Sequence, residues 1–78
     1  MDFLQEIADL AVAGGFGEIW EDCDRRRAFE LCNDVRERLG MPCYSPTVLD
    51  KGWQYRNIFA EDKEQAMDEF VNFVLGWW

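Results

Sequence analysis

The sequence predicts an α+β domain: three helices packed on a small antiparallel β-hairpin or three-stranded sheet, in the order α-(β)-α-β-β-α. Three observations lead there. Apolar residues recur at helical spacing in the stretches DFLQEIADLAVAGG, DRRRAFELCNDVRERLG and EDKEQAMDEFVNFVLGWW. Between the last two, PTVLDKGWQYRNIFA alternates side-chain character around a glycine-containing turn. At 78 residues the chain is long enough for one domain only, residues 1–78.

In the first stretch, Asp2 is placed to cap a helix, and Gln5 holds the capping-box position three residues on. Phe3, Ile7, Leu10 and Ala11 share one face with Leu4 beside them, and Gly14 and Gly15 stop the helix. FGEIW, residues 16–20, is a candidate third strand. The second stretch is the clearest helix. Ala28, Leu31, Cys32, Val35 and Leu39 form an apolar stripe, ended by Gly40 and Pro42. At about 100° per residue, Ile19, Trp20 and Cys23 point away from that stripe. The chain is therefore expected to bend near Asp22–Asp24, with Asp22 or Asp24 capping the new helix.

TVL reads as a short strand, and Asp50-Lys51-Gly52 as a turn with glycine at the left-handed position. The return strand places Trp53, Tyr55, Asn57 and Phe59 on one face and Gln54, Arg56 and Ile58 on the other. Pro46 makes the first strand an edge strand or confines pairing to Thr47 onward. Two strands are marginal in water, so a helix or the third strand must cover them. In the last helix Asp62 and Gln65 repeat the capping pattern. Ala66, Met67, Phe70, Val71, Val74, Trp77 and Trp78 form a broad apolar face, with Phe73 and Leu75 outside its centre. Trp77 and Trp78 are expected to fold back over Trp53 and Tyr55, or to be buried against a second copy or a target. The expected core is Phe3, Ile7, Leu10, Leu31, Val35, Leu39, Val48, Phe59, Phe70, Val71 and Val74.

Charge is unevenly spread. The total is −8, with seven acids and no base in residues 1–24, a net +2 in 25–38, +1 in 39–60 and −4 in 61–78. Two acidic arms flank a mildly basic middle. Such a field repels nucleic acid and anionic membranes and favours basic partners. The three cysteines form no C-x-x-C pair, and histidine is absent. No basic segment followed by an apolar run opens the chain, and no apolar stretch reaches membrane-spanning length. These features point to a reducing cytoplasm and free thiols.

Little here supports catalysis. Without histidine no Ser-His or Cys-His dyad forms. Glu18, Glu21 and Asp22 lack the spacing of a calcium loop, and GGFG at 14–17 lacks the lysine of a phosphate-binding loop. A winged-helix reading of the arginine-rich helix and hairpin meets the net charge of −8, and Glu30, Asp34 and Glu37 lie on the same helix. The expectation is a non-enzyme that has no catalytic residue, cofactor or metal and makes no direct contact with nucleic acid or membrane. The arginines Arg25–Arg27 suit a helix start poorly. They read best as an exposed seam compensated by neighbouring acids, the alternative being a guanidinium cluster that meets a carboxylate, phosphate or RNA surface. As a seam, alanine at Arg25 and Arg26 should change stability by only about 0–1 kcal/mol.

In length, acidity and aromatic content the chain looks like the small phage-encoded inhibitors of bacterial defence, the anti-CRISPR and DNA-mimic class. Colicin-type immunity proteins and antitoxins look similar by the same measures. The resemblance includes no shared motif and carries no residues over. The expected function is an acidic, protein-binding inhibitor of a basic nucleic-acid-binding protein or nucleic-acid-processing complex, in a bacterial or phage-infected cytosol. Its expected contacts are Glu18, Trp20, Glu21, Asp22, Asp24, Glu61, Asp62, Glu64, Asp68, Glu69, Trp77 and Trp78. The alternative is a structural or assembly domain, a homodimer or higher homo-oligomer formed through the aromatic C-terminal helix.

Overall fold

Asp2 opens α1 (Phe3–Ala13) by accepting a hydrogen bond from the Leu4 backbone N–H at 3.0 Å, which satisfies one of the helix's free donors. The computed structural model describes residues 2–55 and 58–76, with side chains for all of these except 53–55. Among the described residues there are five helices and no strand: α1, α2 (Phe16–Asp22), α3 (Arg25–Arg38), α4 (Pro46–Tyr55) and α5 (Lys63–Leu75). The fold is therefore all-helical, and both the α+β class and the β-hairpin expected from sequence are overturned.

The candidate strand FGEIW is helix α2. Gly15, at φ 89°, turns the chain out of α1, and the left-handed Cys23 (φ 50°) ends α2 after seven residues. Phe16 and Ile19 are buried and Trp20 half-buried, at positions i, i+3 and i+4 of a helical face. Their phase disagrees with α3 because they belong to a separate helix. The bend expected near Asp22–Asp24 is present, and Asp24 caps α3 by accepting from the Arg27 backbone N–H at 3.1 Å. At the other end of α3, Gly40 adopts φ 76°. The Met41 and Gly40 N–H groups bond back to the carbonyls of Arg36 and Glu37 at 2.8 and 3.0 Å, a Schellman closure.

The larger correction concerns residues 46–55, which form α4 where a strand and turn were expected. Ser45 precedes it, and its Oγ accepts from the Val48 N–H at 3.3 Å while its carbonyl accepts from the Leu49 N–H at 3.0 Å. Pro46 then occupies the first helical position, where a missing N–H costs nothing. Gly52 lies inside the helix and has no positive φ. It is needed for clearance: a Cβ there would lie 1.9 Å from Cε1 of Phe73 on α5. Trp53 and Tyr55 have helical backbones, whereas Arg56 and Asn57 of the expected return strand lie outside the described residues.

Helices α1, α2, α3 and α5 pack against one another around a core in which Ile7, Phe16, Val35, Ile58, Phe70, Phe73 and Val74 are fully buried. The rings of Phe16 and Phe70 meet at 4.9 Å between centroids, tilted by 49°, which is a favourable aromatic geometry. Of the expected core, Ile7, Leu31, Val35, Phe70, Val71 and Val74 are buried, and Leu10, Leu39, Val48 and Phe59 are half-buried. Phe3 is not in the core; it is 48% exposed at the first turn of α1. Phe73, placed off the centre of the last helix's face, is wholly buried because α4 covers that side.

Arg36 joins this core from α3. It is only 7% exposed, and its Nε donates to the Pro42 carbonyl at 2.8 Å. Its Nη1 donates to the Val74 carbonyl in the last turn of α5, and its guanidinium carbon lies 3.9 Å from the centre of the Tyr44 ring. The Tyr44 hydroxyl donates towards the Phe73 and Val74 carbonyls at 3.2 and 3.4 Å. The last turn of α5 contains no basic residue, so Arg36 supplies from outside the positive charge that a helix C-terminus favours.

Candidate protein-binding surface

The acids expected to bind a partner fall into two groups with different local roles. In the first, Glu18 and Asp22 stand one turn apart on α2, and Arg27 of α3 reaches both, at 3.9 and 3.6 Å. Asp24 is occupied as the α3 cap, and Trp20 donates its indole N–H to the Ala60 carbonyl at 2.8 Å, which fastens α2 to the segment before α5. Trp20, Glu21 and Glu61 line one shallow hollow of about 350 Å³ with Cys23, Phe59 and Ala60. This side of the molecule is acidic, but it is partly offset by Arg27.

The second group is less compensated. Glu64 and Asp68 are exposed, four residues apart on α5, so they stand one above the other on the same helical face. Two hollows of about 380 and 530 Å³ lie between α1 and α5 and share Gln5, Ala8, Met67 and Asp68, so they form one continuous groove. Its described lining includes four acids (Asp2, Asp9, Glu64 and Asp68) and no lysine or arginine. The Asp9 carboxylate accepts from the Gln5 side-chain amide at 2.9 Å. Leu4, Ala8, Val12, Met67 and Val71 supply the apolar floor, and Leu4 and Val12 are 41% and 64% exposed.

The remaining expected contacts are dispersed. Asp62 caps α5 by accepting from the Glu64 N–H at 2.9 Å, and Glu69 is half-buried, one position round the helix from Asp68. Trp77 and Trp78 lie outside the described residues. Neither Asp2 nor Asp9 is among the contacts expected from sequence: Asp2 reads as the cap of the first helix, and both lie off its Phe3, Ile7, Leu10 and Ala11 face. The signal that could have found them is the second apolar row Leu4, Ala8 and Val12 at i, i+4 and i+8, next to Gln5 and Asp9.

Arg25 and Arg26 are exposed, as expected. Arg25 pairs with Asp50 across the α3–α4 junction and lies over the Phe29 ring at 5.2 Å, while Arg26 meets Glu30 at 3.4 Å. Both arginines border a hollow of about 550 Å³ floored by Phe29 and Leu49. Each charge around it has an opposite charge beside it, so the hollow has no net sign with which to select an ion. The seam is self-compensating, through a fold the sequence did not foresee.

The chemistry of the described residues is otherwise sparse. All three cysteines are free; Cys32 is buried, and burial pushes its thiol from the usual 9.0 up to about 12, against a smaller lowering by Arg36. Among the described residues no cluster of His, Cys, Asp or Glu could hold a metal ion, and no helix is long and apolar enough to cross a membrane. No protein-family model, curated protein or solved structure matches this chain.

Proposed function

We propose that this chain is a non-enzymatic inhibitor that binds another protein through its acidic surface, the target being a basic nucleic-acid-binding protein or complex. The observation that carries the reading is the α1–α5 groove, whose charged described lining is wholly acidic over an apolar floor. Acids alone would serve solubility. Acids bordering exposed aliphatic side chains supply both steering and burial, which protein recognition uses together. The setting we assign is the bacterial or phage-infected cytosol, supported by three unpaired cysteines.

Affinity capture from lysate of the source cell, at low and at high salt, tests this. The expected recovery at low salt is a basic, nucleic-acid-processing protein that salt releases. Recovery of this chain alone, in a self-association that salt does not weaken, would contradict the inhibitor and favour an assembly domain.

A further inference from the structure

We propose that the α1–α5 groove receives a basic amphipathic helix of the partner, its apolar face on the groove floor and its lysines or arginines against the acidic rims. This rests on the inhibitor reading above and specifies its contact. The argument for a helix comes from spacing. Leu4, Ala8 and Val12 rise along α1 at four-residue intervals and span about 12 Å. Met67 and Val71 repeat the interval on α5. Such rows are the ridges and grooves into which a further helix packs. Leu4 and Val12 present apolar surface that the described parts of this chain leave open.

The argument for a basic occupant comes from the rims. Asp9 lies on the α1 side, Glu64 and Asp68 on the α5 side, and Asp2 lies at the α1 N-terminus. A helix carrying cations on both flanks of an apolar stripe would meet carboxylates on each side. A second copy packed groove to groove would instead bring these acids together, and like charges at an interface are unfavourable.

The test uses an 18-residue leucine–lysine peptide patterned as an amphipathic helix, titrated into the isotope-labelled protein while backbone amide shifts are followed. Two control peptides accompany it, a leucine–glutamate counterpart and a lysine–serine peptide of equal charge. The expected result is saturable binding by the leucine–lysine peptide alone, with shifts confined to residues 2–12 and 64–72. The double change Glu64→Lys with Asp68→Lys should weaken it at least tenfold, as should Leu4→Ser with Val12→Ser. Both pairs are exposed, and unchanged spectra away from the groove would confirm that these variants fold. Equal binding by the lysine–serine peptide would overturn the proposal, because charge alone would then suffice. Shifts centred on Glu18–Asp24 and Glu61 would overturn the groove while leaving the basic-partner reading in place. No saturable binding at all would remove both. Sedimentation showing a dimer of the protein alone that Leu4→Ser with Val12→Ser dissolves would assign the groove to a second copy and overturn the proposal as well.

Discussion

Replacing Arg36 by alanine is expected to destabilise the folded chain by about 3 kcal/mol. The side chain is 7% exposed and donates to the carbonyls of Pro42 and Val74. Alanine would remove two charge-assisted donors, worth roughly 1.5–3 kcal/mol each, less here because Pro42 is exposed and the Val74 carbonyl keeps the Tyr44 hydroxyl. It would also remove the cation from the Tyr44 ring and from the C-terminal end of α5. Lysine is expected to restore less than half of the loss. Its single ammonium reproduces neither the two-point fork nor the planar stack. Urea denaturation of the three proteins measures this, and an alanine variant within about 0.5 kcal/mol of the parent would show that the Arg36 contacts contribute little.

Gly52→Ala should cost about 1–3 kcal/mol, the usual range for overpacking a filled interior. Helix propensity alone predicts the opposite, a gain of about 1 kcal/mol for alanine over glycine inside a helix. Packing wins because the new Cβ would fall 1.9 Å from Phe73, whose ring is wholly buried and cannot simply move aside. The two positions should therefore be coupled. In a Phe73→Leu background, Gly52→Ala is expected to lose most of its cost. A hairpin turn at Gly52 would also penalise alanine, but without dependence on residue 73. A double-mutant cycle by chemical denaturation separates these cases, and simple additivity would count against the α4–α5 contact.

That glycine explains much of what sequence could and could not reveal. Where a cap and an apolar stripe agree, the local signal was sufficient: Asp2, Asp24 and Asp62 cap helices, and Ala28, Leu31, Cys32 and Val35 are buried along α3. Residues 46–55 carried conflicting signals. Ser45 followed by Pro46 is a helix start, whereas the alternation at Trp53, Tyr55 and Phe59 and the Asp-Lys-Gly sequence resemble a hairpin. A glycine allows either a left-handed turn or a close helix approach, and only the position of Phe73 in space decides between them. FGEIW posed a related problem. Five residues are too few for periodicity to decide, and the helical set Phe16, Ile19 and Trp20 becomes plain only once α3 is seen as a separate helix.

The candidate site was legible in charge but not in placement. Counting acids identified Glu64 and Asp68 as readily as Glu18 and Asp22, because sequence does not show where an arginine will reach. The fold brings Arg27 to the α2 acids and places no lysine or arginine among the described lining of the groove. The packing of α1 on α5 brings Asp2 and Asp9 to Glu64 and Asp68; the Leu4, Ala8 and Val12 row marks a second apolar face on α1 but not which helix lies beside it.

The most direct measurement compares two charge reversals that alter net charge equally, in complex with the basic partner recovered by capture. One protein carries Glu64→Lys with Asp68→Lys in the groove; the other carries Glu18→Lys with Asp22→Lys beside Arg27. Long-range steering should slow association similarly in both, whereas lost contacts should hasten dissociation only where the partner sits. With both variants folded as the parent, the groove pair is expected to weaken affinity at least tenfold more than the α2 pair, mainly through faster dissociation. Equal losses, confined to association and erased by salt, would contradict the account, because the acids would then act only through the protein's overall field.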